Sequence, residues 1–218
     1  MRNPIRAGAV LAAFLSGFLI CGCSGRSALS GFDPGQSSIY IKKDGSVSSA
    51  SVEQTEQNYY SADDLTAFVN ERVEAYNSQA GGADGQTAPV QVASCTVEES
   101  QGGQTLTCIL DYDSAETLMA FNQEIQNPEV AFTALVTDSV SALSKEEDFS
   151  QAVFLDAKGA AAEVSKVTEK GNLRAVRAQG TGLVQTEGQI VYATQGCEIQ
   201  GKSLVQTPSE GVSYIVFQ

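Results

Sequence analysis

The stretch LRAVRAQGTGLVQTEGQIVYATQGCEIQGKSLVQTPSEGVSYIVF, residues 173–217, decides the fold class. Six short β-prone runs can be read in it: Leu173 to Ala178, Gly182 to Gln185, Gln189 to Ala193, Cys197 to Ile199, Ser203 to Gln206 and Val212 to Phe217. Gly188, Gly196, Gly201 and Gly211 punctuate them. Side chains alternate across a strand, so the Ile190/Tyr192 and Val212/Tyr214/Val216 spacings line up apolar groups on one face. Short strands broken by glycine turns predict an antiparallel meander, sandwich or stacked sheet.

Working upstream, strands are expected at Ala131 to Val136 and Ala152 to Leu155, the latter ending at Asp156-Ala157-Lys158-Gly159, with a helical turn near Ser139 to Ser144 between them. Nearer the N-terminus, Ser38-Ile39-Tyr40-Ile41 and Val47 to Val52 flank Lys43-Asp44-Gly45-Ser46, and Asp-Gly between β-prone runs is a strong hairpin signal. Ser61 reads as a helix cap, with Asp63 and Asp64 in the first turn where the helix dipole favours negative charge. Leu65, Phe68, Val69, Val73 and Tyr76 follow at helical spacing and are expected to be core. Ser114 caps a second helix carrying Leu118, Phe121 and Ile125 until Asn127-Pro128 stops it. The expected fold is α+β: two short amphipathic helices packed on antiparallel sheets, with a C-terminal third almost all β. The chain divides into a leader (1–22), a lipidated Cys23 with a flexible tether (23–37), an N-terminal α+β region (38–128) and a β-rich C-terminal region (129–218).

The leader carries the most specific signal. Arg2 and Arg6 precede an uncharged apolar run, Ala7 to Ile20, which is too short to cross about 30 Å of hydrocarbon and therefore reads as a removable export signal. Ile20-Cys21-Gly22-Cys23 resembles the lipobox of bacterial lipoproteins. That resemblance implies cleavage between Gly22 and Cys23 and a diacylglyceryl group on the Cys23 thiol. Cys21 fits worse as the acceptor, because the bulky Ile20 would stand where the peptidase needs a small side chain. Two or more acyl chains, at about 0.8 kcal/mol per buried methylene, hold a protein essentially permanently on a membrane. The Gly/Ser-rich segment Ser24 to Ser37 would give the body a reach of about 20 Å.

Composition narrows the chemistry. The chain carries 26 acidic against 13 basic residues, a net charge of −13, and the leader removes two arginines and no acid, so the mature body is more acidic still. Such a surface repels nucleic-acid phosphate and anionic head groups, and no nucleic-acid partner is expected. With 0 His and 0 Trp, Ser-His-Asp and Cys-His catalysis and His-containing zinc sites are excluded. Paired carboxylates or a Ser-Lys arrangement are the designs left, and no enzyme activity, cofactor or metal is expected.

Of the 5 cysteines, Cys95, Cys108 and Cys197 lie beyond the lipobox. A two-residue turn at Gln101-Gly102 sets Cys95 directly opposite Cys108. A cross-strand disulfide and a pair of reduced thiols both fit that register, and Cys197 reads as a small core residue. Asp111, Asp113 and Glu116 gather at the entry to the second helix, where capping and dipole effects compete with a calcium site that lacks the glycine and closing glutamate of an EF-hand loop.

Ile41-Lys42-Lys43-Asp44-Gly45-Ser46-Val47, Tyr59-Tyr60-Ser61-Ala62-Asp63-Asp64-Leu65, Val73-Glu74-Ala75-Tyr76-Asn77 and Gly211-Val212-Ser213-Tyr214-Ile215-Val216-Phe217 together resemble a group of lipoproteins of Gram-positive anaerobic gut bacteria. These are packing, cap and turn motifs, so the resemblance implies a location, the extracytoplasmic face of the cell membrane, and no catalytic residue. Two function classes follow. One is a non-catalytic module that binds or scaffolds envelope proteins or glycans, with the lipid bilayer held through Cys23. The other is a small-ligand or cation receptor hinged at Asn77 to Pro89, with carboxylates or Tyr59 and Tyr60 as contacts.

Overall fold

The computed structural model describes residues 31–32, 34–80, 88–125 and 132–218. Gly22, Cys23, the leader, most of the tether, the middle of the 77–89 segment and Asn127-Pro128 lie outside the described residues.

The Asp-Gly hairpin forms as expected. β1 (Ser38–Ile41) and β2 (Val47–Thr55) pair antiparallel with Ile41 opposite Val47. Gly45 takes φ +95°, and Asp44 accepts hydrogen bonds from the Ser46 amide and hydroxyl. These two bonds, the hydroxyl's foremost, hold the Asp44 carboxyl below its ordinary range. α1 (Ala62–Gln79) starts where the Ser61 side chain accepts from the Asp64 amide. β3 (Val90–Ser100) and β4 (Gly103–Tyr112) form the second hairpin, followed by α2 (Ala115–Ile125), whose Ser114 cap accepts from the Thr117 amide.

β5 (Phe132–Ser139), α3 (Val140–Glu146), a 3-10 turn at Phe149–Gln151, β6 (Phe154–Asp156), β7 (Ala161–Ala162) and α4 (Val164–Thr168) come next. The chain then closes with β8 (Arg174–Gly180), β9 (Gly182–Thr186), β10 (Ile190–Thr194), β11 (Glu198–Ile199), β12 (Leu204–Thr207) and β13 (Val212–Phe217). The fold is α+β with a C-terminal region nearly all strand. Two points differ from expectation: α1 is a long helix of 18 residues, and α4 has no counterpart in the sequence reading, whereas α3 forms where the helical turn near Ser139 to Ser144 is expected.

The strands form a seven-stranded sheet, β11-β12-β9-β1-β2-β4-β3, and a six-stranded sheet, β5-β8-β13-β10-β6-β7. Of the forms expected for the last third, the meander is absent and its strands are shared between two sheets packed on one core. β8, β9, β10, β11 and β13 fall alternately in the two sheets, so the breaks at Gly188, Gly196 and Gly211 are steps from one layer to the other, while Gly201 turns the β11–β12 hairpin within the larger sheet. At the β8–β9 corner Gly180 takes φ +110°. The Thr207 hydroxyl pins this corner by donating to Gly180 O at 2.8 Å and accepting from the Gly182 amide at 3.0 Å. At Gly188, a Cβ would stand 1.5 Å from the carbonyl oxygen of Gln218, so only glycine fits between the two layers.

One pairing breaks the antiparallel rule. β1 lies parallel to β9, with Ile39 opposite Val184 and Ile41 opposite Thr186. The larger sheet thus takes strands from both the 38–128 and the 129–218 regions. Its inner face supplies Ile39, Ile41, Val184 and Val205, which pack in one cluster with Val176, Ile215 and Phe217 of the smaller sheet and with Leu118 and Phe121 of α2. A second cluster, Val140, Leu143, Phe149, Phe154, Val167 and Tyr214 among its members, lies where α3 and α4 cover the other side of the smaller sheet.

The described residues of the expected tether, 31–32 and 34–37, lie on the body. Phe32 is fully buried and stacks on Tyr40 with ring centroids 5.0 Å apart. Gly31 O accepts from Gln185 Nε2 at 2.7 Å, and Ser37 Oγ accepts from the Val52 amide at 2.9 Å. The described residues from Gly31 onward are therefore docked on the body, because an aromatic ring buried on a sheet is not a flexible linker.

The α1 stripe is also only partly core. Val73 is buried and Val69 and Tyr76 pack against the core, but Phe68 is 48% exposed. α1 lies along β3, the edge of the sheet, and an edge strand is too narrow to cover a full helical face. Phe68 turns outward and carries the Arg72 guanidinium 5.2 Å from its ring centroid.

Candidate functional site

The most constructed exposed feature lies where the β3–β4 hairpin tip meets the chain between β2 and α1. Thr55, the last residue of β2, pairs with Gln104, which in turn faces Glu99 of β3. Gly103 lets the tip close onto that connection: with φ +154°, a Cβ there would stand 1.9 Å from Thr55 O.

Gln104 is buried, and both hydrogens and the oxygen of its amide are engaged. Oε1 accepts from the Tyr60 amide at 3.0 Å, and Nε2 donates to Tyr60 O at 3.2 Å and to Glu99 Oε1 at 3.1 Å. A side-chain amide that binds both backbone groups of one residue imitates a strand neighbour and fixes that residue. Tyr60 is therefore rigid just before the Ser61 cap. Tyr59 rests against it with centroids 4.7 Å apart and rings tilted by 34°, yet is itself 69% exposed. Hydrogen bonding with Tyr59, then burial and the negative charge of Glu53, raise the Tyr60 hydroxyl above its usual range. The result is a fixed aromatic shelf edged by Glu53 and Glu99. Tyr59 and Tyr60 could be singled out in the sequence, whereas Gln104 could not: a glutamine beside a glycine turn carries no sign of its burial.

Cys95 and Cys108 stand opposite one another in the ladder, as the turn predicted, and Ser100 faces Gly103 across the Gln101-Gly102 turn. They are present as thiols, with the Cys108 Sγ–H directed at Cys95 Sγ at 3.0 Å. Cys197 packs half-buried against the main core, 3.7 Å from the Thr194 hydroxyl.

The carboxylates at the entry to α2 are dispersed. Asp111 accepts from Lys42 Nζ at 3.1 Å and from the Ser48 hydroxyl, while Asp113 accepts from the Thr117 hydroxyl at 2.6 Å. Glu116 sits in the first helical turn. Among the described residues no three acidic or cysteine side chains gather as a metal site. Ser48 and Lys42 do share a locality, but both donate to Asp111. An ammonium turned to a carboxylate offers no lone pair to a neighbouring hydroxyl, so this is not the geometry of a serine nucleophile with a lysine base. No known family model, curated protein or solved structure matches the chain.

Away from the shelf, an open cleft of about 740 Å³ lies beside α3 and includes Lys145, Glu147, Phe149 and Val164 in its lining. Glu147 is tied down there. Its Oε1 lies 3.0 Å from Arg177 Nε and its Oε2 accepts from the Tyr214 hydroxyl at 3.3 Å. Burial foremost, and then Glu147, raise the Tyr214 hydroxyl above its ordinary range. The 77–89 segment joins α1 to β3 and so lies wholly within the 38–128 region.

Proposed function

We propose that this protein is a lipid-anchored, non-catalytic binding module on the extracytoplasmic face of a bacterial cell membrane, holding envelope glycan through the Tyr59–Tyr60 shelf. The anchor is supported by the sequence Ile20-Cys21-Gly22-Cys23 behind its charged and apolar leader. The observation that carries the binding reading is that Tyr59 is 69% exposed while the residue it leans on is clamped by a buried glutamine. An aromatic ring left in water but held rigid offers flat apolar area at low entropic cost, and its hydroxyl gives a polar tip. The C–H faces of a sugar ring stack on such a surface, and carboxylates such as Glu53 and Glu99 accept hydrogen bonds from sugar hydroxyls.

The test is sedimentation of the detergent-extracted protein with isolated cell-wall polysaccharide, comparing wild type with Tyr59→Ala. At least a tenfold loss of affinity, about 1.4 kcal/mol, is expected. Equal binding by the two proteins overturns the shelf as the site. A thermal shift with a small sugar, amino acid or calcium, but none with polymer, favours the receptor class instead. The anchor is tested separately by intact mass of the mature N-terminus, where an unacylated start at any residue other than Cys23 removes it.

A further inference from the structure

We propose that Cys95 and Cys108 form a thiol–disulfide exchange site that closes a cross-strand bond on the edge hairpin of the larger sheet. The parity of the ladder carries the argument. A two-residue turn makes its flanking pair, Ser100 and Gly103, the hydrogen-bonded pair, and such pairs alternate with non-hydrogen-bonded ones along an antiparallel ladder. Counting from the turn, Glu99/Gln104, Val97/Leu106 and Cys95/Cys108 are the non-hydrogen-bonded pairs. At such positions the Cα atoms are about 4.5 Å apart and the side chains are close, which lies within the Cα range of about 4.4–6.8 Å that a disulfide spans. The two Sγ atoms already lie on the same side of the hairpin at 3.0 Å. The irregularity between Val92 and Ser94 falls beyond the pair and leaves its register intact.

The surroundings distinguish the two sulfurs. The Cys108 thiol donates to Cys95 at 3.0 Å, and this bond, against the opposing effect of burial, favours the thiolate on Cys95, which makes Cys95 the attacking sulfur. On attack its proton goes to solvent. The Cys95 sulfur attacks one sulfur of a low-molecular-weight disulfide, the S–S bond of that reagent breaks, and one thiolate leaves. Cys108 then gives up its proton and attacks the Cys95 sulfur of the mixed disulfide, expelling the second thiolate. The protein loses two electrons and two protons, and the reagent becomes two thiols.

What the bond would hold is β3, an edge strand that among the described residues has β4 as its one ladder partner. Edge strands are where a sheet opens or pairs wrongly, and a covalent tie to the inner neighbour stops β3 from peeling away.

Cleavage after glutamate tests this directly, because Glu98 and Glu99 lie between the two cysteines. The full-length protein, extracted in detergent, is incubated with excess oxidised glutathione, digested under acid and weighed. The expected product is a pair of peptides, one with Cys95 and one with Cys108, joined with the loss of two hydrogens and separated again by dithiothreitol. Separate peptides, or a link from either cysteine to Cys197, overturn the proposal. Cys197→Ser should leave the yield unchanged. Cys108→Ser, close in volume, should trap glutathione on Cys95; failure to trap it overturns Cys95 as the attacking group.

Discussion

Asn77, in the last turn of α1, holds both backbone polar groups of Val90 at the start of β3: Nδ2 donates to Val90 O at 2.8 Å and Oδ1 accepts from the Val90 amide at 3.2 Å. Val90 is fully buried, so no water replaces this partner. Asn77→Leu keeps the bulk and orphans both groups, each worth about 1–3 kcal/mol. A lower urea midpoint with an unchanged slope is expected. An unchanged midpoint would mean the two groups find other partners.

Gln104→Ala should free the shelf. The Tyr60 amide and carbonyl lose their partner, and a loss of about 1–3 kcal/mol is expected together with a weaker near-ultraviolet circular dichroism signal from the tyrosine pair. If stability falls while wall binding stays at the wild-type level, the clamp serves folding and not recognition.

Ser49 and Tyr112 predict the alkaline limb of stability. Their hydroxyls lie 3.1 Å apart, and burial, opposed in part by the bond to Ser49, pushes the Tyr112 hydroxyl far above its ordinary range. The folded state thus keeps a proton that the unfolded chain releases near pH 10, so this contribution is full below about pH 10 and is lost as pH rises beyond it. The thermal midpoint should fall above that pH. Tyr112→Phe should make the fall shallower, with a slope persisting from Tyr40, Tyr76 and Tyr214, whose hydroxyls burial also raises.

Thr207→Val examines the corner between the two layers. Valine has nearly the same shape, but it removes the acceptor for the Gly182 amide and the donor to Gly180 O. The expected cost is about 1–3 kcal/mol, and faster hydrogen exchange should be confined at first to the β8–β9 corner. Exchange that rises uniformly instead would show that this corner opens only with the whole sheet.

Local chemistry was legible in the chain, and layer-to-layer geometry was not. Asp44-Gly45 marks its own turn, Ser61 its own helix, and Gln101-Gly102 sets the cysteine register, because each acts over a few residues. The glycines of the last third mark breaks correctly, but a break into the same sheet and a step to the other one require the same freedom, so the two cannot be separated by spacing. α4 has Glu163 at its N-cap with no side-chain cap bond and is five residues long, which leaves no periodicity to read. Phe68 looked like core because helical spacing records which residues share a face, not how much sheet lies beneath them. The shelf was half visible: two adjacent tyrosines draw notice, but their rigidity comes from Gln104, brought in by the ladder.

The parallel contact between β1 and β9 also sets an order of events. A chain delivered N-terminus first presents Ile39 to Ile41 long before Val184 arrives to cover their open side. Until then the first hairpin has an unsatisfied flank, and contacts this distant in sequence are slow to close. The open side of β1 must wait until most of the chain has been made, so the later strands are what turn the first ones into structure.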